Sequence, residues 1–272
     1  MPVDPHLRSL DIDIPAKPEV LVRLSLLLAD EDVNLERVGA LVESDMALAA
    51  SMMKAVNSSL YGLKGRVQSV HQAVSYLGTR EVAGITFEMG LRAAFPPTPE
   101  LEPIWDRAGR RGVLMGRLGQ ALGLDAWAAH SAGLFEECGK AVLFRHAPEH
   151  YPSMLRAAHT DGELVQIERT GFGVSHEALG AALCDSWGLG PAVVASVRGH
   201  VDAQATRALQ GPPASRAVTA LSVIAHALVC EPTQLEEVAL IIAPQAGLDT
   251  GRLLKVALDL AERLEQAETV EP

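Results

Sequence analysis

The sequence predicts an all-α protein, and three observations support this fold class. Apolar residues recur every three to four positions along most of the 272 residues, which is the spacing of one face of a helix. Several Ser or Thr residues are followed three positions later by Glu or Gln, the capping-box pattern of a helix start. Alternation of apolar and polar residues between hairpin turns is missing from the sequence, so we expect no sheet.

The helices are predicted from these stripes and caps in chain order. Pro18 suits the first turn of the first helix. The apolar stripes of the first three helices are Val20, Leu21, Leu24, Leu27 and Leu28; Leu35, Val38, Leu41 and Val42; and Leu48, Met52, Met53 and Val56. Later helix starts are predicted at the capping boxes that begin with Ser69, Thr160 and Thr233.

Two proline-rich segments interrupt the helical pattern. The segment 95–103 contains four prolines and cannot continue a helix, because each proline removes a backbone donor and clashes with the preceding turn. We therefore predict a helical N-terminal lobe at 1–95 and a second helical lobe at 104–272. The second interruption, at 210–214, is predicted to be a loop inside the second lobe.

Composition excludes several classes of protein. The formal net charge of −11 is spread along the chain and would repel a phosphate backbone, so nucleic acid is not expected as a partner. We see no run of about 18 apolar residues and no basic segment followed by an apolar run at the start, so we expect neither membrane insertion nor a secretory signal. The cysteines, Cys138, Cys184 and Cys230, lie far apart in apolar helical contexts; we predict buried, reduced thiols in a cytoplasmic protein.

One stretch of the second lobe points to a known superfamily. The residues 133–140 read Gly-Leu-Phe-Glu-Glu-Cys-Gly-Lys. This resembles the metal-binding segment of HD phosphohydrolases, which usually reads Gly-Leu-Leu-His-Asp-Ile-Gly-Lys. The hydrophobic frame and the Gly-Lys ending are present, whereas Glu136 and Glu137 stand where that superfamily has its His-Asp pair.

The N-terminal lobe carries a second, independent resemblance. Its fragments follow the order and spacing of the HDOD domain, a non-catalytic relative of the HD phosphohydrolases, across about residues 12–230. The matching residues are Asp45, Asn57, Ser58, Tyr61, Gly62, Leu77 and Gly78, with Trp187 at a later helix boundary. The resemblance implies an HDOD-type helical fold, in which an N-terminal helical lobe packs on a degenerate HD-like bundle whose pocket has lost its catalytic ligands.

The resemblance also assigns positions in this pocket. Arg107 matches the first histidine ligand of catalytic HD proteins, and Glu136 and Glu137 match the His-Asp pair. Later ligand positions fall on His176, His200 and, at the final aspartate, near His226. Lys140 follows Gly139 as it does in active relatives, where it often lies near the phosphate.

The chemistry of these side chains argues against a metal. Arg107 would place a permanent positive charge where a ligand belongs. At about 4 Å its repulsion of a divalent cation is roughly 8 kcal/mol at an effective dielectric constant near 20. We therefore predict a vestigial pocket closed by ion pairs of Arg107 with Glu136 or Glu137, with no metal and no cofactor. Lys140 is expected to pair with a carboxylate or cover a helix end.

The sequence leaves the roles of four further side chains open. His176 and His200 could hydrogen-bond inside the pocket or bind a metal. Asn57 and Ser58 could end a helix or form a contact surface.

The preferred function is a non-enzymatic regulatory module of bacterial signal transduction that acts through protein partners. By analogy with the family, these partners belong to two-component or cyclic-dinucleotide systems. A second candidate function is that of a divergent metal-dependent phosphohydrolase acting on a nucleotide or cyclic dinucleotide, and a third is that of a small-molecule sensor without catalysis. The sequence predicts neither the identity of the partner nor the oligomeric state.

Overall fold

The computed structural model describes residues 12–28, 34–57 and 67–269, with side chains to residue 263. These residues form α-helices joined by short loops and 3-10 turns, and they contain no strand, so the predicted all-α class is confirmed. They divide into two compact units. The smaller unit comprises 16–95 together with the end of the last helix from 259, and the larger comprises 96–258 together with 12–15.

This division can be compared with the lobes predicted from the sequence. Both place a boundary at the proline-rich segment after Phe95. They differ at the ends of the chain, because residues 12–15 group with the larger unit and residues from 259 onward group with the smaller one.

The smaller unit is built on four helices with apolar stripes facing a common core. The helices are α1 (Glu19–Leu28), α2 (Leu35–Glu43), α3 (Met46–Val56) and α4 (Val70–Arg92). Val38, Val42, Met52 and Val56 are fully buried members of its hydrophobic cluster. The predicted stripes of the second and third helices therefore do supply this core.

Local hydrogen bonds explain where these helices begin and end. Asp45 caps α3 by accepting from the backbone N–H groups of Ala47 and Leu48 at 2.9 and 3.0 Å. Asn57 ends α3, and its amide donates to the carbonyl oxygens of Met53 and Val67, both at 3.0 Å. Asn57 thus ends the helix, which is one of the two roles that the sequence left open.

The fourth helix shows both a confirmed cap and an interruption. Ser69 caps α4 by accepting from the N–H of Gln72 at 3.1 Å, as predicted. Gly78 has φ 79° and ψ 168°, a conformation that strains residues with a Cβ, and it breaks the helical path inside α4. Leu77, just before it, is partly buried against the hydrophobic cluster of the smaller unit.

The larger unit is a bundle centred on the long helices α5 and α6. Its helices are α5 (Glu102–Leu122), α6 (Ala126–His146), α7 (Tyr151–Ala157), α8 (Asp161–Phe172), α9 (His176–Ser186), α10 (Pro191–Thr206), α11 (Pro213–Cys230) and α12 (Leu235–Ala246), followed by α13 (Thr250–Thr269), which begins in this unit. Thr160 caps α8 as predicted, accepting from the N–H of Glu163 at 3.1 Å. The capping box predicted at Thr233 is wrong, because a 3-10 turn occupies 232–234 and α12 begins at Leu235 without a side-chain cap.

Two glycines let α6 approach its neighbours at backbone distance. A Cβ on Gly133 would lie 2.7 Å from the backbone of Arg111 on α5. A Cβ on Gly139 would lie 1.8 Å from the carbonyl oxygen of His176 on α9. No side chain fits at these distances, so the glycines of the 133–140 segment bring α5 and α9 into contact with α6.

α11 is the described helix that is long and apolar enough to cross a membrane. More than half of it, 56%, is buried inside the protein, as is usual for a core helix. The thiols differ from the prediction in one respect. Cys138 and Cys184 are buried, whereas Cys230 at the end of α11 is exposed, because its helix emerges there from the core.

Candidate functional site

The interior of the larger unit contains a buried ion pair between α5 and α6, which we call the inner pair. The Arg111 guanidinium donates to Oε2 of Glu136 through Nε at 2.7 Å and also through Nη2. Glu136 is fully buried, and only 10% of the Arg111 side chain is exposed. Burial alone would lower the pKa of Arg111, but the carboxylates of Glu136 and Glu137 raise it above its usual value. The guanidinium is therefore firmly charged inside the bundle.

Hydroxyl and amide groups extend the inner pair towards α10 and α11. Nη2 of Arg111 lies 3.5 Å from Oγ of Ser222, which accepts a hydrogen bond of 3.0 Å from the amide of Gln204. Oε1 of Glu136 is buried and makes no hydrogen bond with the described residues. Four helices thus meet around one guanidinium.

The neighbouring carboxylate belongs to a second cluster, the rim network, made of Arg107, Glu137, Lys140 and Asp161. Nζ of Lys140 lies 3.0 Å from Oε2 of Glu137 and 2.8 Å from Oδ1 of Asp161 at the start of α8. Nε of Arg107 lies 3.3 Å from the same oxygen of Glu137, with 53% of the arginine side chain exposed. The network joins α5, α6 and α8.

Charge coupling in the rim network fixes the ionisation of its members. Burial alone would raise the pKa of Glu137, but the charges of Lys140 and then Arg107 outweigh this effect and lower the pKa to about 2. Burial also raises the pKa of Asp161, and Lys140 outweighs that effect, so the pKa is well below its usual range. The pKa of Lys140 is raised, because Glu137 and Asp161 together outweigh the opposing effect of burial. All three groups are ionised at neutral pH.

A histidine beside these clusters is held by a buried glutamate. Oε2 of Glu168 on α8 lies 2.7 Å from both the backbone N and the ring Nδ1 of His176, and Oε1 accepts from the Tyr151 hydroxyl at 2.5 Å. A carboxylate facing Nδ1 favours the tautomer with its proton on that nitrogen. Nε2 of His176 is buried and makes no hydrogen bond with the described part of the chain. The ring of His200 lies edge-on, with centroids 5.7 Å apart.

His200 and His226, the other histidines that the sequence assigned to the pocket, have different surroundings. Nδ1 of His200 lies 2.7 Å from the carbonyl oxygen of Val197, which can only accept, so this nitrogen carries the proton. Burial lowers the pKa of His200, and the imidazole is neutral at pH 7. His226 is partly exposed, and its Nε2 lies 3.9 Å from Glu231. Burial and then Arg111 lower the pKa of His226.

A cavity of about 810 Å³ opens beside the rim network. Arg107, Lys140, Asp161 and His226 are among the polar residues that line it. Apolar side chains, among them Ile104, complete the wall. The cavity lies wholly within the larger unit.

Residues 14–203 match the HDOD domain family. The chain belongs to the HDOD family. A Treponema pallidum (strain Nichols) protein without an assigned function is 30% identical over 200 residues, which are 69% of this chain and 37% of the relative. This HDOD chain thus spans little more than a third of the length of that relative.

Solved structures show the same fold. A Marinobacter aquaeolei VT8 protein provisionally assigned to signal transduction is 25% identical, with a TM-score of 0.71 over 95% of this chain and 59% of its own. An HDOD domain protein of unknown function from Geobacter sulfurreducens is 20% identical, with a TM-score of 0.72 over 97% and 95%. A Shewanella amazonensis SB2B protein provisionally assigned as a metal-dependent phosphohydrolase is 19% identical, with a TM-score of 0.60 over 96% and 94%.

The fold shared with that last protein raises the question of a metal, and the residues of this HDOD pocket do not fit one. Glu136 and Glu137, the carboxylates of the 133–140 segment, already bind Arg111 and Lys140. Oε1 of Glu136 and Nε2 of His176 are buried without a partner among the described residues, but the guanidinium bound to Glu136 would repel a metal ion at that carboxylate. The described residues contain no group of three His, Cys, Asp or Glu side chains placed to hold a metal ion.

The structure places all the residues that the sequence assigned to this pocket in the larger unit, with one rearrangement of ion-pair partners. Glu137 does pair with Arg107 and also with Lys140, whereas Glu136 pairs with Arg111. The sequence predicted that Arg107 supplies the cation for Glu136 or Glu137; it does pair with Glu137, but its side chain is half exposed. The buried guanidinium is Arg111, one helical turn later.

Sequence analysis missed Arg111, Glu168, Asp161 and Tyr151. The sequence contained a signal for the first two. Arg111 falls on the buried stripe of α5, and Glu168 falls on that of α8. The stripe of α5 is Ile104, Ala108, Arg111, Met115 and Leu118. The stripe of α8 is Leu164, Glu168 and Phe172. A charged residue on a buried stripe indicates a buried partner. Asp161 and Tyr151 carried no comparable signal.

The remaining HDOD-motif residues have structural roles or lie outside the description. Trp187 ends α9, donates from Nε1 to the carbonyl oxygen of Pro15 at 2.8 Å, and packs edge-on against Phe135. Ser58, Tyr61 and Gly62 lie outside the described residues.

Proposed function

We propose that this HDOD protein is a non-catalytic regulatory module of bacterial signal transduction that acts through protein partners. The observation that carries the proposal is the inner pair. A hydrolytic HD site needs carboxylates free to hold a metal that activates water. Here the two carboxylates of the corresponding segment are neutralised by Arg111 and Lys140.

The relatives favour a signalling role over hydrolysis. The Marinobacter protein assigned to signal transduction shares 25% of its aligned residues with this chain, whereas the Shewanella protein assigned as a phosphohydrolase shares 19% and informs on the fold alone. Action through a protein partner is our inference from the absence of a usable catalytic group in the described pocket.

A turnover assay tests the non-catalytic half of the proposal. Untagged protein is incubated with bis(p-nitrophenyl) phosphate, a mononucleotide or a cyclic dinucleotide in the presence of Mn²⁺ or Fe²⁺. We expect hydrolysis equal to that of a His200→Ala variant. Metal-dependent turnover that His200→Ala abolishes would instead assign a phosphohydrolase to this pocket.

Affinity capture tests the partner half. The protein is cross-linked in the cells that encode it, and recovered partners are quantified against a mock capture from the same cells without the protein. We expect at least one signalling protein to be enriched reproducibly at near-stoichiometric yield. Enrichment of no protein at any growth stage, with the fold intact, would contradict action through a partner.

A further inference from the structure

We propose that the cavity beside the rim network binds a small amphipathic anion, with its head group at Arg107 and Arg156 and its apolar body against the wall that includes Ile104. This goes beyond the proposed function and does not depend on the identity of a protein partner. The wall is supplied by α5, α6, α7, α8, α10 and α11 of the larger unit.

The size of the cavity sets the size of the ligand. Its volume of about 810 Å³ lies in the range of roughly 300–1,000 Å³ that is usual for small-molecule sites. A single inorganic ion would leave most of this space to solvent. The cavity therefore suits an organic molecule that contacts several helices.

The charges that remain uncommitted on the wall favour an anion. Asp161 is bound by Lys140, and Glu231 is bound by Arg207 at 3.1 Å. The side chain of Arg156 on α7 makes no hydrogen bond or ion pair with another described residue, and Arg107 uses only Nε.

The wall thus offers the guanidinium of Arg156 and the two Nη groups of Arg107, against one exposed carboxylate, that of Glu100. Guanidinium groups bind carboxylates, sulfonates and phosphates through two parallel hydrogen bonds. The uncommitted part of the wall thus offers donors to an anionic head group.

The apolar part of the wall requires a second ligand feature. Ile104, Leu164 and Val201 are buried side chains that face this space, together with Phe144 and Leu155. An inorganic anion would leave this surface in contact with water, whereas a hydrocarbon or ring system would cover it. The favoured ligand thus combines one anionic head with an apolar body.

A fluorescent amphipathic anion tests the proposal on the full chain. Anilinonaphthalene sulfonate is titrated into the protein, and its displacement is measured with decanoate, adenosine monophosphate, inorganic phosphate and decyltrimethylammonium. We expect displacement by decanoate or by the nucleotide, and the stronger of the two identifies a lipid-like or a nucleotide-like source. Inorganic phosphate and the cationic amphiphile should displace the probe at least about tenfold less well, since each lacks one of the two required features.

Two single variants locate the binding, and a third serves as the control. Arg107→Gln and Arg156→Gln should each raise the dissociation constant of the probe about tenfold, because each removes a charge-assisted hydrogen bond. Arg198→Gln removes an exposed guanidinium from α10 outside the cavity and should change it less than about twofold. All three arginines are exposed, so the midpoint temperature of thermal unfolding should remain near that of the wild type.

Three results would overturn the proposal. They are the absence of displacement by both amphipathic anions, equal displacement by decyltrimethylammonium, and unchanged affinity in both cavity variants. Because no turnover or partner capture enters this experiment, its failure is distinct from failure of the proposed function.

Discussion

Two adjacent carboxylates on α6 lie in contrasting environments. Glu136 binds the buried guanidinium of Arg111, while Glu137 binds Lys140 and the half-exposed Arg107, both of which line the cavity. Although the two glutamates are consecutive in α6, the ion pair of Glu136 is buried, whereas that of Glu137 with Arg107 borders solvent. The inner pair therefore holds α5 and α6 together, whereas part of the rim network remains accessible to a ligand.

Charges supplied by the chain itself balance both carboxylates of this pocket. Each carboxylate of the 133–140 segment has a cation supplied by the chain itself, from α5 for Glu136 and from α6 for Glu137. Buried charges are retained in proteins when they are paired, because an unpaired buried charge is strongly destabilising. Each of the two ion pairs can therefore be disrupted by replacing its cationic residue.

The largest effect is expected from Arg111→Met. This change leaves the buried carboxyl group of Glu136 without its partner, so the free energy of unfolding should fall by about 3–5 kcal/mol. Urea unfolding followed by circular dichroism measures the change. Arg110→Met, on the exposed face of the same helix, is the matched control and should change stability by less than about 1 kcal/mol.

A second substitution separates charge from shape at the inner pair. Adding Glu136→Leu to Arg111→Met removes the unpaired carboxylate and should restore most of the lost stability. If Arg111→Met were as mild as Arg110→Met, or if the double variant were the less stable of the two, Arg111 and Glu136 would not form a buried ion pair.

Acid should weaken the rim network through Glu137. Its folded pKa of about 2 lies below the ordinary value of 4.5, so its contribution to stability is complete above about pH 4.5 and is lost as the pH falls towards 2. The linked free energy is roughly 3 kcal/mol. Urea unfolding between pH 5 and pH 2.5 should show a steeper decline for the wild type than for Glu137→Gln. Parallel profiles for the two proteins would contradict this ionisation.

Close backbone contact between α6 and α9 helps to position Glu136 and Glu137 on α6. Gly139→Ala would place a Cβ 1.8 Å from the carbonyl oxygen of His176, and the resulting displacement should lower the free energy of unfolding by about 1–3 kcal/mol. Thermal unfolding measures the effect. Gly162→Ala is the matched control, since the nearest atom lies 3.8 Å away in the first turn of α8, and it should be neutral or slightly stabilising.

The smallest change in stability is expected from Arg107→Gln, which tests whether the two arginines differ in their contribution. Arg107→Gln should lower the free energy of unfolding at neutral pH by less than about 1 kcal/mol, because its side chain is 53% exposed and its ion pair is screened by solvent. The measurement is the same urea titration as for Arg111→Met. A loss as large as that of Arg111→Met would mean that the two pairs are energetically alike.

The sequence predicted the fold well because helix periodicity and caps are local. The stripes through Val38 and Met52 and the caps at Ser69 and Thr160 follow from spacing alone. The failed cap at Thr233 is also local, because the 3-10 turn that begins at Pro232 moves the N-cap by one residue, to Gln234.

The partners of the site could be predicted only in part. The 133–140 segment located Glu136 and Glu137, but the identity of each partner depends on which helix face meets α6. Arg107 and Arg111 lie one turn apart on α5, and only packing decides which is buried. The Lys140–Asp161 contact and the Glu168–His176 contact span loops between helices, so no local spacing reveals them.

Metal content is the most direct test of the central claim that the chain's own cations neutralise this pocket. Protein without a histidine tag is purified, incubated with Mn²⁺, Fe²⁺ or Zn²⁺, desalted and measured by inductively coupled plasma mass spectrometry. We expect metal far below one equivalent, with no change in His176→Ala or His200→Ala. One equivalent of metal per chain, lost in either histidine variant, would contradict the claim.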